Sequence, residues 1–274
     1  MSWESVLSED DNRLFKENIS LLEERVVQNF PDVYRDPEIL SAVRNVPRHL
    51  FVDGSYKALA YTDNALPTLR GLTTSAPSVV ARMIFLSGVT KGDRVLEVGT
   101  GTGYQAVVLA EMGVNVYSIE IDRAAADAAN EILVRLGYKI DKRPQSAARR
   151  KECLRRYLAI RRHFPRKGRI ELFVGNGQRG LAERSPFDGI IIAASVPRLA
   201  SVWHLTGQLA ASGGRMVVPV GERHDQTLTI LERKGDKVSC SIMEGISFDF
   251  LRMTQAHEAS PFPGLGGRHS SFRL

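Results

Sequence analysis

The stretch Arg94-Val-Leu-Glu-Val-Gly-Thr-Gly-Thr-Gly-Tyr104 limits the fold of this chain more than any other. Val95, Leu96 and Val98 make the short apolar run of a strand buried on both faces. Gly99, Gly101 and Gly103 follow at every second position, and Gln105-Ala-Val-Val-Leu-Ala110 starts a helical pattern. Strand, glycine turn and helix in that order bring a ligand close to backbone N–H groups at a helix N-terminus. A Cβ in such a turn would block either a positive φ or the ligand's approach.

The loop also restricts the ligand. A dinucleotide fingerprint requires a third glycine at position 104, where this chain has Tyr. No Lys-Ser or Lys-Thr follows to make a phosphate loop. Instead Glu97 stands two residues before Gly99, and a carboxylate there repels a pyrophosphate but suits a cationic or amine-bearing ligand. A second acid agrees. Val114-Asn-Val-Tyr-Ser-Ile119 reads as the next strand and ends in Glu120, about 20 residues past the loop, where a nucleoside's ribose hydroxyls would lie. Acid-x-Gly-x-Gly-x-Gly with the second acid resembles the loop of S-adenosylmethionine-dependent methyltransferases.

Further strands alternate with helices. Arg123 to Leu136 reads as a helix, Ile170 to Val174 as a strand, Pro186 to Ala194 as another, Leu199 to Leu209 as a helix, and Gly213 to Gly221 as a fifth strand. Leu228 to Ile242 reads as a hairpin turning at Lys234-Gly-Asp236. The expected class is α/β, a Rossmann-like doubly wound mixed sheet with helices on both faces and a late antiparallel hairpin. Upstream, Asp10 to Phe30 patterns as one or two amphipathic helices. Asp36 to Arg44 patterns as a helix with Asp36 as N-cap and Pro37 in its first turn. Residues 1–70 are read as an N-terminal helical extension packed on the core, 71–253 as the core, and 254–274, rich in Pro, Gly, Ser and His, as a flexible tail.

Charge is concentrated in one place. Residues 141–169 hold twelve Lys and Arg against two acids, so this insertion carries +10 and the remainder −4 of the formal +6. It has few aromatics, Tyr157 and Phe164, and is open to three readings: a solvated loop, a recruiter of an acidic partner, or a surface for nucleic acid. Cys153 and Cys240 lie in unlike contexts without metal-ligand spacing, so free thiols in a reducing compartment are expected, with the cytoplasm as the default. No apolar run approaches the ~20 residues of a membrane span, no signal-peptide pattern opens the chain, and a monomer is expected.

Gly71-Leu-Thr-Thr-Ser-Ala-Pro-Ser-Val-Val-Ala81 crowds three hydroxyls, Thr73, Thr74 and Ser75, ahead of a helix from about Pro77 to Ser87. Any one of them could serve as a helix cap, and together they could hold a substrate. This stretch resembles the protein-L-isoaspartate O-methyltransferases, as do Val46-Pro-Arg-His-Leu-Phe-Val52, Ala60-Tyr-Thr-Asp63, Val95 to Tyr104, Val174-Gly-Asn-Gly-Gln-Arg-Gly180, Pro186-Phe-Asp188 and Gly214 to Gly221. The stretches keep the family order and cover roughly residues 37–235. The resemblance implies methylation of the free carboxylate of an isoaspartyl residue in damaged protein, with S-adenosylmethionine as donor and isoaspartyl proteins or peptides as partners. It implies Ser75 on the substrate side, with Thr73 and Thr74 beside it. It assigns Glu97, Gly99, Thr100, Gly101, Thr102, Gly103, Tyr104, Glu120, Ile121, Asn176 and Gly177 to the cofactor, Asn176 standing where the family has Asp. Two departures are the insertion and Ile246-Ser-Phe-Asp-Phe-Leu251, where Asp249 and Phe250 replace the family's Val and Pro.

A carboxylate acceptor is ionised at neutral pH, so no general base is required, and no metal is expected. None of the six histidines (49, 163, 204, 224, 257, 269) sits in a sequence motif with an acid partner. Three other functions remain open on sequence alone: a family relative retargeted to a specific acidic protein, a nucleic-acid methyltransferase, and a non-catalytic cofactor-binding module. Against the nucleic-acid reading, Ala193-Ala-Ser-Val-Pro197 lacks the Asn/Asp-Pro-Pro-aromatic loop that grips a flipped base.

Overall fold

A computed structural model describes residues 7–68, 72–138, 168–222 and 225–243. The insertion up to residue 167, Cys153, the 246–251 segment and the tail 254–274 lie outside the described residues.

The N-terminal part begins with one long helix, α1 (Glu9–Asn29), where sequence allowed one or two. Ser8 caps it by accepting from the Asp11 N–H. The α2 helix (Pro37–Asn45) starts as expected, with the Asp36 carboxylate accepting from the Ile39 N–H at 3.2 Å. Two short strands, β1 (Leu66–Pro67) and β2 (Thr73–Thr74), pair antiparallel just before α3 (Pro77–Ser87).

The main sheet is built from β3 (Arg94–Val98), β4 (Asn115–Glu120), β5 (Arg169–Val174), β6 (Gly189–Ile192), β7 (Ser212–Glu222), β8 (Asp225–Lys234) and β9 (Lys237–Met243). Their order is β5-β4-β3-β6-β7-β8-β9, parallel from β5 through β7 and antiparallel thereafter. Two helices lie between strands, α4 (Tyr104–Glu111) after β3 and α5 (Arg123–Arg135) after β4. The order reverses between β3 and β6, so a crevice opens above the carboxyl ends of these two strands.

Strand periodicity divides the core in two. Val95, Val116, Ile191 and Val217 face a layer holding Leu22, Val26, Ile84, Val107 and Leu133 from the helices. Their neighbours Leu96, Ile190, Ile192, Met216 and Val218 face the opposite layer with Leu181, Val202, Leu205 and Leu209. The continuous helix expected over 199–209 is instead two 3₁₀ turns, Leu199–Ser201 and Trp203–Gln208, divided at Val202. Tertiary bonds hold this form. Gln208 accepts from the Leu181 N–H and donates to the Arg179 carbonyl, while Arg233 takes the carbonyls of Gly207 and Leu209.

Candidate active site

The glycine turn after β3 adopts the conformation its residues permit, with φ of +93° at Gly99, +53° at Gly101 and +86° at Gly103. It opens one edge of a cavity of about 530 Å³, within the roughly 300–1,000 Å³ range of small-molecule sites. Glu97, Gly99, Thr100, Gly101, Thr102 and Tyr104 line it from the turn. Glu120 and Ile121 come from the end of β4, Asn176 and Gly177 from the loop after β5, and Thr73, Thr74 and Ser75 from the stretch leading into α3. Of the residues singled out from sequence, Gly103 alone is not in the wall. It turns the chain into α4, on the side where an added Cβ would meet Leu133 and Ala129.

Parallel pairing puts Glu97 opposite Ser118, both fully buried on the helical face of the sheet. Ser118 donates to Glu97 Oε2, and the Thr100 hydroxyl lies 2.6 Å from Ser118 Oγ. Glu97 Oε1 is buried without a hydrogen-bond partner. The amide of Gln105 lies close by without completing a bond. Burial pushes the Glu97 carboxyl up to about 8, with the Glu120 charge adding to the rise and Ser118 and Gln105 opposing it. Glu120 ties two loops together, accepting from the Gly101 N–H at 2.9 Å and from the Asp122 N–H at 3.0 Å. Each of its oxygens keeps further acceptor capacity.

Asn176 Oδ1 accepts from the Gln178 N–H at 3.0 Å, so this residue also closes its own turn. Gly177 is required by space: a Cβ there would sit 2.5 Å from Val98 Cγ1 and 3.2 Å from Ile119 Cγ2. The capping role open to the three hydroxyls belongs to another residue. The N-cap of α3 is Ala76, and the Asp63 carboxylate accepts from the Ser78 N–H at 2.8 Å.

Sequence reasoning missed Gln105, Val98, Ile119, Ala193 and Ala194 in the wall. The last two follow β6 at the reversal of strand order, and that position was the available signal. It also missed Arg48, His49 and Asp63, which act across the fold. His49 has an acid neighbour after all, with Nε2 3.5 Å from Asp11 Oδ1 and Nδ1 2.6 Å from the Tyr61 hydroxyl. Among the described residues no histidine lines the cavity, and no group of three or more His, Cys, Asp or Glu could hold a metal.

The donor set fits a nucleoside with a cationic side chain. Glu97 lines the cavity with one buried carboxylate oxygen left without a partner, a second carboxylate sits at the β4 terminus, and Val98, Ile119 and Ile121 supply apolar wall. Comparison with known proteins gives the same direction. The family model for protein-L-isoaspartate(D-aspartate) O-methyltransferase matches residues 21–256. A protein-L-isoaspartate O-methyltransferase of Aeropyrum pernix is 38% identical over 201 residues, 72% of this chain, which spans 65% of that relative's length. Protein-L-isoaspartate O-methyltransferase 2 of Geotalea uraniireducens is 33% identical over 238 residues, covering 86% of this chain and 94% of its own. A solved protein-L-isoaspartate O-methyltransferase superposes with a TM-score of 0.65 at 24% identity, over 87% of this chain and 66% of that one. A Plasmodium falciparum homologue crystallised with S-adenosyl-L-homocysteine gives 0.61 at 21%, over 86% and 98%. These two structures speak for the fold. Sequence match, strand order and cavity converge, and the chain belongs to the protein-L-isoaspartate(D-aspartate) O-methyltransferase family.

Proposed function

We infer that the chain is an S-adenosylmethionine-dependent carboxyl methyltransferase acting on L-isoaspartyl residues of damaged proteins and peptides. One observation carries the reading: the glycine turn with its two acids and the Thr73–Ser75 stretch line a single undivided cavity. This supports a donor loop and an acceptor loop that share one chamber.

S-adenosylmethionine supplies an activated methyl group on a sulfonium. The residues of this chain hold and align. Glu97 and Glu120 would receive the cationic and ribose ends, and Asn176, Val98 and Ile121 would bound the base. On the acceptor side, Ser75 with Thr73 and Thr74 offers hydroxyls to a carboxylate that is ionised at neutral pH, so no proton must be removed. The acceptor's charge is neutralised as the new bond forms, so tight ion pairing would stabilise the ground state most and slow transfer. Neutral hydroxyl donors avoid that penalty, and the rate comes from proximity and alignment.

The direct test is transfer of radiolabelled methyl to two matched peptides, one isoaspartyl and one aspartyl. Base-labile label on the isoaspartyl peptide alone is expected. Label on neither, with cofactor binding intact, would refute the assigned acceptor. Recruitment of an acidic protein or nucleic acid by residues 141–169 is a proposal from sequence, tested by deleting that segment and repeating the assay on protein substrates. A monomer in the cytoplasm is likewise a proposal. The exposed free thiol of Cys240 suits a reducing compartment, and no described helix is long and apolar enough to cross a membrane.

A further inference from the structure

Arg48 is fully buried, and no carboxylate lies within ion-pair distance of it among the described residues. Such a charge costs several kcal/mol to bury unless hydrogen bonds replace its water. Here backbone carbonyls do so for the two terminal nitrogens, while Nε is buried without a partner. Nη1 donates to Ala60 O at 2.8 Å and Thr62 O at 3.1 Å, and Nη2 donates to Asn64 O at 2.7 Å and Ser75 O at 3.1 Å. The guanidinium also lies 5.6 Å from the ring centre of Tyr104, a residue of the cavity wall.

Between two of those acceptors, Thr62 and Asn64, stands Asp63. Its Oδ1 accepts from the Ser78 N–H at 2.8 Å, and its Oδ2 accepts from Asn29 Nδ2 at 2.6 Å. The segment from Ser75 to Ser78 is therefore gripped at both ends. Arg48 holds the carbonyl of the residue assigned to the acceptor, and Asp63 holds the N–H three residues later, where α3 begins. Neither side chain is in the cavity wall, and neither touches the glycine turn's backbone by a hydrogen bond.

We propose that Arg48 and Asp63 are positioning residues for methyl transfer, fixing the backbone that presents Ser75 to the acceptor carboxylate. The proposal rests on the reading of Ser75 as an acceptor-side residue. Lysine cannot replace Arg48, because one ammonium offers three donors from a single point where a planar fork reaches four carbonyls.

The test uses the full chain with Arg48→Lys, Asp63→Ala, Ser75→Ala and the two doubles with Ser75→Ala. Each is assayed for kcat and KM on an isoaspartyl peptide and for S-adenosylhomocysteine affinity by calorimetry. Arg48→Lys is expected to lower kcat/KM at least tenfold, and Asp63→Ala severalfold, with cofactor affinity within twofold of the parent. Each double should be little worse than its more damaging single, because both changes remove the same alignment. Cofactor affinity falling in step with kcat/KM, or fully multiplicative losses in the doubles, would overturn the proposal. Should Arg48→Lys fail to fold, the Asp63→Ala cycle decides alone, since that half-buried side chain leaves no deep cavity. Full activity of Ser75→Ala would refute the role of Ser75, a separate failure. The split between kcat/KM and cofactor affinity in Arg48→Lys and Asp63→Ala then still decides the positioning.

Discussion

Cofactor affinity should depend steeply on pH, and the cause is Glu97. Its carboxyl is pushed up to about 8, foremost by burial, so at neutral pH the empty site holds it mostly protonated. A cationic ligand prefers the carboxylate, and its binding must then expel a proton. With a folded value near 8, roughly one site in eleven is ionised at pH 7. Between pH 7.5 and pH 6.0 the ionised fraction falls roughly 25-fold, while the ligand's amine stays charged. S-adenosylhomocysteine affinity measured by calorimetry should fall by about that factor over this range. At pH 7 the heat should change with buffer in proportion to nearly one released proton. Glu97→Gln should bind more weakly at pH 7.5 and lose the slope. The opposite result is equally readable. A flat affinity with no buffer-dependent heat, or an unchanged slope in Glu97→Gln, would mean that Glu97 stays protonated in the complex and serves as a donor.

The two sides of the cavity should separate by mutation. Ser75→Ala is expected to lower kcat/KM for the isoaspartyl peptide at least tenfold with cofactor affinity within twofold. Glu120→Ala should instead weaken S-adenosylhomocysteine binding at least tenfold, because it also leaves the Gly101 and Asp122 N–H groups without their acceptor; unchanged affinity would remove Glu120 from the cofactor side. Gly177→Ala forces a Cβ to 2.5 Å from Val98 Cγ1, so a loss of about 1–3 kcal/mol in denaturant unfolding and weaker cofactor binding are expected. His49 supplies a pH dependence of stability. Burial foremost, with Lys57 and Arg135 adding to it against Asp11, depresses its folded value to about 4. The unfolded chain then binds the proton first, so this stability is full above about pH 6.5 and is lost as pH falls toward 4. The thermal midpoint of the parent should drop across that window more than that of His49→Gln, and parallel curves would contradict the account.

What could be read from the sequence follows from how locally each feature is determined. The glycine turn, both acids and the alternating strands are local, since a glycine at positive φ or a two-residue period needs no knowledge of the rest of the fold. The Leu199–Leu209 segment has helical apolar spacing, yet Arg233 binds its backbone from outside and its own Gln208 side chain is tied to the Leu181 and Arg179 backbone, which stabilises two 3₁₀ turns. Thr73–Ser75 were legible as hydroxyls near a helix start, but the free N–H of Ser78 is served by Asp63, fifteen residues upstream. Arg48 illustrates the same limit more strongly. A charged residue in Val46-Pro-Arg-His-Leu-Phe-Val52 reads as surface by composition, and only the assembled fold shows it buried on four carbonyls. Glu97 was found by its spacing, whereas its raised protonation range depends on a desolvated wall that spacing does not encode.

The Arg48 clamp has one further consequence, for how the site can diversify. All four of its acceptors are main-chain oxygens, at Ala60, Thr62, Asn64 and Ser75. The grip is therefore indifferent to which side chains those positions carry. The side chain at position 75 can be exchanged while its Cα position stays fixed. Selection, or a designer, can thus draw new acceptors from a library of side chains on an unchanged frame. Replacing the arginine would instead release the frame itself.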